Sequence, residues 1–527
     1  MTKPGPEASQ LLRDAGAVIQ TGFEGLTAPD WMLRGLAAGE IGGAVLFYRN
    51  IADPGQLAAL NGSLAEANPD VLVAIDEEGG DVTRLEIAEG SSYPGNLALG
   101  QAGDPELTAA VARAIGLDLA AAGVNLNYAP VADVNANPDN PVIGVRSFGA
   151  QSESVSAHTA AYVRGLQSTG VIGCAKHFPG HGDTNGDSHL GLPRIDFDDE
   201  TLALHLAPFR AAIAAGVKAI MTAHILVPRY NGAVPATMAP EVMTGLLRTE
   251  LGFDGLIVTD GIDMGAISAY YGIAEGTVKA VAAGVDAICA GGSLCTEEAF
   301  LYLRNALVWA VRERRLPEER LHEAAERNRA AARWSAAERA RARAAAEPAD
   351  LDGRCRAVGL TAARRALRLS GDLKPLPGAA HVVEFSSIAS IAVDAVTPWG
   401  VAGALTALLP GTTATTIAPP IAHVETVGLM SVPVVDQNAA IDLKPLLAAA
   451  TGRPLVLAVR DLHRNAWVAR AVTGLLAERP DAILVEMGVP HGLVDELADR
   501  GTTVLATHGS ARVCGQAAAE LISGRVG

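Results

Sequence analysis

The segment Lys176-His177-Phe178-Pro179-Gly180-His181-Gly182-Asp183-Thr184-Asn185-Gly186-Asp187-Ser188-His189 holds three histidines, two aspartates and a lysine. Pro179, Gly180, Gly182 and Gly186 interrupt regular structure, so it reads as a loop leaving an apolar run. Titratable groups crowded at such a place point to a site rather than to decoration. Two chemistries fit these residue types. His177 and His181 have H-x-x-x-H spacing, which binds zinc when both residues share one helix face; Pro179 and Gly180 oppose that helix. Asp183, Asp187 and His189 form a second, carboxylate-rich metal option. The alternative is acid/base chemistry without a metal. Asp187 and His189 are two residues apart, and in a looped backbone Asp187 can bind one imidazole nitrogen, fixing the tautomer and freeing the other to exchange protons.

A second centre is Thr259-Asp260-Gly261-Ile262-Asp263. An apolar run ends there in an aspartate followed by glycine, which permits close approach of a ligand. Asp260 suits a rim residue facing a ligand, and it equally suits an N-cap of a following helix; Asp263 is the weaker competitor. The third centre is Asp76-Glu77-Glu78-Gly79-Gly80-Asp81-Val82-Thr83-Arg84. Three consecutive carboxylates after an apolar run are either a solvated acidic turn or a ligand site, and a sugar with its hydroxyl donors suits Asp76. The glycine pair is too short for a phosphate-binding fingerprint. Arg146, in Gly144-Val145-Arg146-Ser147-Phe148-Gly149, follows a loop rich in Asn and Pro.

These groups must be held by something, and the surrounding pattern says what. Short apolar runs at residues 17–21, 43–48, 71–75, 126–130, 173–177, 219–223, 256–259 and 287–290 alternate with helical stretches such as 106–121, 152–167, 199–214 and 240–249. Continuous apolar strands alternating with helices imply a parallel sheet covered on both faces, and eight such units imply closure into a (β/α)8 TIM-type barrel. Glu24, Asp76, Asp133, His177, His224 and Asp260 all follow such runs. Barrels of this kind place their active sites at those carboxyl ends. From about residue 298 to 347 the chain is helical and rich in Ala, Arg and Glu, which reads as a solvated connector. Beyond it, strand-like runs at 382–385, 454–459, 481–486 and 502–507, with helices at 402–409 and 465–478, suggest a three-layer α/β/α sandwich. The expected division is a barrel over residues 1–335, a helical linker over 336–375 and the sandwich over 376–527.

The bulk numbers bound the function. A chain of 527 residues with 49% hydrophobic content has room for two cores. A net charge of −17 argues against a nucleic-acid or anionic membrane surface. Cys174, Cys289, Cys295, Cys355 and Cys514 are scattered, odd in number and without a C-x-x-C pair, so neither a disulfide framework nor a thiolate metal site is expected. Residues 1–16 lack the apolar core of a secretory signal, and no apolar stretch is long enough to span a bilayer. A cytoplasmic protein is the expectation.

In combination these segments resemble family 3 of the glycoside hydrolases, in its bacterial β-N-acetylglucosaminidase branch. The resemblance runs from Asp76-Glu77-Glu78-Gly79-Gly80 with Arg84, through Ala129-Pro130-Val131-Ala132-Asp133 and Gly144–Gly149, to Lys176–Asp183 and Asp187-Ser188-His189. Leu251-Gly252-Phe253-Asp254-Gly255 and Thr259-Asp260 complete it. It implies a two-domain enzyme with Asp260 as nucleophile and His189, paired with Asp187, as general acid/base. It also implies sugar held by Asp76, Arg84, Arg146, Lys176 and His177. No metal or cofactor is implied, and the partners would be saccharides containing N-acetylglucosamine. One departure stands out: family members commonly carry an acidic residue directly after the nucleophile, where this chain has Gly261, and a small residue where it has Asp263. Retaining hydrolysis would proceed through a covalent glycosyl-enzyme, with phosphate as an alternative acceptor to water. A metal-dependent hydrolase and a non-catalytic sugar-binding protein are the other classes that these residues allow.

Overall fold

The computed structural model describes residues 6–345, 354–387, 392–394, 396–427 and 430–525. The eight apolar runs of the first half are eight strands: β1 (Ile19–Thr21), β2 (Gly43–Leu46), β3 (Leu72–Ile75), β4 (Leu126–Asn127), β5 (Ile172–Phe178), β6 (Ala219–Thr222), β7 (Leu256–Thr259) and β8 (Ile288–Ala290). They pair in parallel in the order β7-β6-β5-β4-β3-β2-β1-β8, and a bridge between Val258 and Ala287 brings β7 back to β8. Every residue of these strands is buried. That is why the runs read as continuously apolar: one face fills the barrel and the other meets helices. Val45, Leu72, Ala74, Leu126, Tyr128, Ile172, Cys174, Met221, Leu256 and Val258 pack together as the interior. The helices Pro105–Ala121, Ser152–Gln167 and Asp199–Ala214 cover the outside.

The charged stretch expected to be a solvated connector is not one. It forms two helices, Glu297–Arg312 and Glu318–Ala345, and the second packs Ala331, Ala332 and Trp334 against the barrel interior. Ser335 Oγ donates to the Gly170 carbonyl at 2.6 Å. Arg320 Nη2 reaches Asp286 Oδ1 at 2.6 Å and Asn328 Nδ2 the Asp286 carbonyl at 2.7 Å. Small alanines on one face let the helix approach closely, while the arginine and glutamate heads on the other face dominate its composition and hide that face.

The second domain is a six-stranded sheet in the order β11-β10-β14-β15-β16-β9. Its strands are β9 (Arg368–Ser370), β10 (His381–Phe385), β11 (Thr413–Ile417), β14 (Leu455–Val459), β15 (Ile483–Glu486) and β16 (Thr503–Ala506). A separate hairpin joins β12 (Ile421–Val427) to β13 (Met430–Val435). All neighbours in the sheet are parallel except β9, which runs antiparallel to β16. Alternate strand residues face opposite layers. Phe385, Leu457 and Val459 pack with Trp467, Val472 and Leu475 of the Ala466–Glu478 helix. Val382, Val456 and Val485 pack with Leu405 and Ile522 on the other side. The result is the expected three-layer sandwich. Strands β9, β11, β12 and β13 carry no sequence signal because they are short, exposed or polar: β9 is exposed throughout, and Ile421–Thr426 are all exposed.

Cys174, Cys289, Cys295 and Cys514 are free and buried; the Cys355 side chain lies outside the described residues. Among the described residues no helix is long and apolar enough to cross a membrane.

Asp286 ties the Glu318–Ala345 helix to the barrel: it is fully buried and accepts from Arg248, Arg320 and the Ile257 amide. Asp286→Ala leaves partly buried arginines without their anion and is expected to destabilise the barrel by about 3–5 kcal/mol, measured from the barrel transition in chemical denaturation.

Candidate active site

The three consecutive acids after β3 have three different fates. Alternation past the strand end sends residues 76 and 78 to one side and 77 to the other. Asp76 and Glu78 both meet the Lys176 ammonium, at 2.6 and 2.7 Å. Glu78 also takes the Arg146 guanidinium in a two-pronged pair, Nε to Oε2 at 2.9 Å and Nη2 to Oε1 at 2.7 Å. Burial alone would raise the Glu78 carboxyl, but Arg146 and Lys176 outweigh it and hold it far below the usual carboxylate range. Burial would likewise lower Lys176, and Asp76 and Glu78 keep it raised and charged. Asp76 retains 23% side-chain exposure against 3% for Glu78, so Asp76 is the acid that stays open to solvent. The solvated-turn reading is thereby replaced: these acids are neutralised by buried cations.

Glu77 turns the other way. Its Oε2 accepts the amides of Arg84 and Leu85 at 2.7 and 2.9 Å, closing the turn that carries Arg84, and burial pushes its carboxyl up to about 7. Arg84 is buried and donates through Nη2 to the Ala392 carbonyl of the second domain at 3.0 Å. Arg146 spends Nε and Nη2 on Glu78 and Nη1 on the Val142 carbonyl.

β5 delivers Lys176 and His177 side by side at its carboxyl end. His177 Nδ1 pairs with Asp133 Oδ2 at 2.7 Å, and the other Asp133 oxygen accepts the His181 amide at 2.7 Å. Burial would raise Asp133, but His177 holds it low; it is the anion around which the loop turns. His181 uses both ring nitrogens on hydroxyls, Thr184 at 2.8 Å and Ser188 at 3.0 Å, and burial pulls it down to about 4, leaving it neutral. These engagements draw His177 and His181 apart in role. Among the described residues no three His, Cys, Asp or Glu side chains are grouped to hold a metal ion.

Asp187 and His189 do converge. Oδ1 of Asp187 accepts both the His189 amide, at 2.9 Å, and Nδ1, at 2.7 Å. Burial would raise Asp187, and the bonds from His189 keep it below the usual range. Nδ1 is thereby occupied, which leaves Nε2 to exchange protons. The loop is fastened beside Asp260: the Gly265 and Ala266 amides donate to the His189 and Ser188 carbonyls at 3.0 and 3.2 Å. Asp260 itself accepts the Gly261 amide at 2.8 Å. Burial would raise it, but His177, His224 and His189 around it hold it well below the usual carboxylate range. The next helix, Gly265–Ser268, starts from Met264 without a side-chain cap, so Asp260 is not its N-cap. Asp263 faces elsewhere: Oδ2 accepts the Ser293 amide and hydroxyl at 2.5 and 2.7 Å, tying down the loop after β8. A side chain at Gly261 would press on Asp263 and Met264 at 3.3 Å, so the two departures from the family pattern are neighbours in space.

The structure thus gathers Asp76, Lys176, His177, Asp187, His189 and Asp260 at the carboxyl rim, with Arg146 joined through Glu78 and Arg84 held at the domain boundary. Three further residues belong with them. Glu78 was obscured by its identical neighbours, and Asp133 and His224 carried only their place after a strand. His224 Nε2 donates to the Gly261 carbonyl, 3.0 Å away.

Comparison with known proteins identifies relatives of the chain. Beta-hexosaminidase A of Pseudoalteromonas piscicida is 41% identical over 270 residues, 47% of this chain and 45% of its own length. The beta-hexosaminidase of Methylococcus capsulatus is 37% identical over 248 residues, 46% of this chain and 74% of its own. The chain therefore matches less than half the length of the first relative. In structure, a family 3 β-N-acetylglucosaminidase from Paenibacillus sp. FPU-7 superposes with a TM-score of 0.83 at 32% identity, covering 98% of this chain and 97% of that one. Residues 24–329 match the glycosyl hydrolase family 3 N terminal domain. With that match over more than half its length, the chain belongs to family 3 of the glycoside hydrolases.

Proposed function

We propose that this protein is a retaining, exo-acting β-N-acetylglucosaminidase that removes terminal N-acetylglucosamine from saccharides. The observation that carries the reading is the Asp187–His189 pair fastened by backbone bonds beside Asp260. Asp260, kept ionised by the histidines around it, attacks the anomeric carbon. His189 Nε2 gives its proton to the departing oxygen, and the glycosyl–Asp260 ester forms as the glycosidic bond breaks. Water then enters, His189 takes its proton back, and the ester is cleaved. A histidine suits this work because its ordinary pKa of roughly 6.5 lies near operating pH. Asp76, Lys176, His177 and Arg84 would bind the sugar, and Arg146 would hold Glu78 and Lys176 in register. The names of the relatives support a hexosaminide substrate. Peptidoglycan turnover fragments, chitin-derived saccharides and glycoconjugates all present such ends, and a cytoplasmic setting fits peptidoglycan recycling.

Turnover of aryl N-acetylglucosaminides and plain glucosides, with and without phosphate, tests the reading. N-acetylglucosaminides are expected to be the faster substrates, and preference for plain glucosides overturns it. Because a deprotonated histidine is neutral and does not repel an anionic acceptor, glycosyl phosphate formed at the expense of free sugar would identify phosphorolysis instead.

Asp260→Ala is expected to abolish turnover while leaving the fold intact, since a rim carboxylate supplies covalent chemistry rather than packing. A slow fluorinated glycosyl substrate should label Asp260 in mass spectrometry; label on Asp263 would move the nucleophile there.

His189→Ala is expected to slow substrates with sugar leaving groups by about 10²- to 10⁴-fold. Activated aryl glycosides, which need little protonation, should be slowed far less in the glycosylation step. Equal losses on both substrate types would make His189 a binding or loop residue.

A further inference from the structure

The second domain contributes none of the proposed catalytic groups, yet its face meets the barrel where the two arginine-bearing loops lie. The loop after β3 is held there through Asp81. Asp81 Oδ1 accepts the Ser510 amide at 2.9 Å, and Oδ2 lies 3.9 Å from Arg460 Nη2. The same Arg460 nitrogen donates to Ser510 Oγ at 2.5 Å. The Trp399 ring lies 5.0 Å from the Arg460 guanidinium carbon and backs it. Asp81, Arg460 and Ser510 are all buried. Three residues further on, Arg84 reaches the Ala392 carbonyl. The loop after β4 is gripped as well: His463 Nε2 donates to the Pro138 carbonyl and Arg464 Nη1 to the Asn140 carbonyl, both at 3.0 Å.

We propose that Arg460 is a positioning residue for the barrel's sugar site: bridging Asp81 and Ser510, it locks the turn of residues 77–85 so that Arg84 is presented to substrate. The inference rests on the proposed sugar-binding role of Arg84. The turn is fastened both from the barrel and from the second domain. Glu77 binds the Arg84 and Leu85 amides from the barrel side, and Asp81 binds the second domain. Between these points lie Gly79 and Gly80, both at positive φ, a backbone that glycine adopts freely and that supplies little stiffness of its own. A buried ion pair contributes little net stability because desolvation offsets its Coulomb gain, yet it strongly prefers one geometry. That balance suits positioning better than it suits holding the domains together, a task served by other contacts such as Arg512 to the Ser92 hydroxyl and Gly359 packed on the Ser92 carbonyl.

The test uses the full chain with Arg460→Met, Arg460→Lys and Ser510→Ala. Hydrogen exchange at the Arg84 and Leu85 amides reports the turn directly, without substrate. Arg460→Met is expected to speed it by roughly tenfold or more. Below the melting temperature, KM for an aryl N-acetylglucosaminide should rise by about tenfold with kcat changed little, the pattern of lost binding common to ground and transition states. Arg460→Lys should restore part of both effects. Ser510→Ala, which keeps the amide bond to Asp81, should give a smaller shift in the same direction, and it decides the matter if Arg460→Met does not fold. Unchanged exchange at Arg84 and Leu85 overturns the proposal. So does a lowered melting temperature with unchanged KM, which would make Arg460 merely structural. A parent protein inactive on N-acetylglucosaminides would overturn the proposed activity instead, and the exchange measurement would still judge the lock.

Discussion

A single buried charge balance organises the site. Asp76 and Glu78 are negative, Lys176 and Arg146 positive, and three of the four are almost wholly buried. Each cation would be costly to bury alone, and each acid would take up a proton. Together they remain charged, and they come from three separate strands: the acids follow β3, Arg146 follows β4 and Lys176 ends β5. Those strands are neighbours in the barrel. The ring of hydrogen-bonded strands therefore fixes the separation of the charges, and the charges fix the loops. A ligand at such a place would meet groups already oriented and largely desolvated.

The proposed chemical centre repeats this logic with histidines. Asp133 orients His177, and Asp187 orients His189. His177, His224 and His189 around Asp260 outweigh its burial and hold its carboxyl well below the usual range. His181, in contrast, is held neutral between two hydroxyls. Three histidines within one segment thus have three tasks, separated by what each ring nitrogen touches.

Much of this was legible in the sequence, for identifiable reasons. The eight barrel strands are buried on both faces, so their runs are continuously apolar, and the residues after them mark the rim. Two-residue spacing in a loop lets Asp187 and His189 meet, and the Asp187 carboxylate accepting both the His189 amide and Nδ1 holds them together. Glu78 was not separable from Asp76 and Glu77, since identical chemistry in consecutive positions is sorted only by the alternation of the backbone. The helix Glu318–Ala345 reads as a solvated connector because mean composition reports its outer face, while the small alanines of its inner face give a weak apolar signature. β11 and the β12–β13 hairpin are invisible in the sequence because exposure removes the alternation by which a half-buried strand is recognised.

The placement of β9 bears on the order in which the molecule becomes whole. β9 leads into the second domain along the chain but pairs with β16, more than a hundred residues later. During synthesis the barrel strands are all available by residue 290, and domains made earlier tend to fold earlier. The edge pairing between β9 and β16, and the grip of Ser510 on Asp81, must wait until the last strand of the sheet has emerged. A nascent chain can therefore carry a closed barrel whose β3 loop still lacks its outer wall. Completion of the barrel's rim is a late event in the life of the chain, timed by a strand that lies far from the rim in sequence.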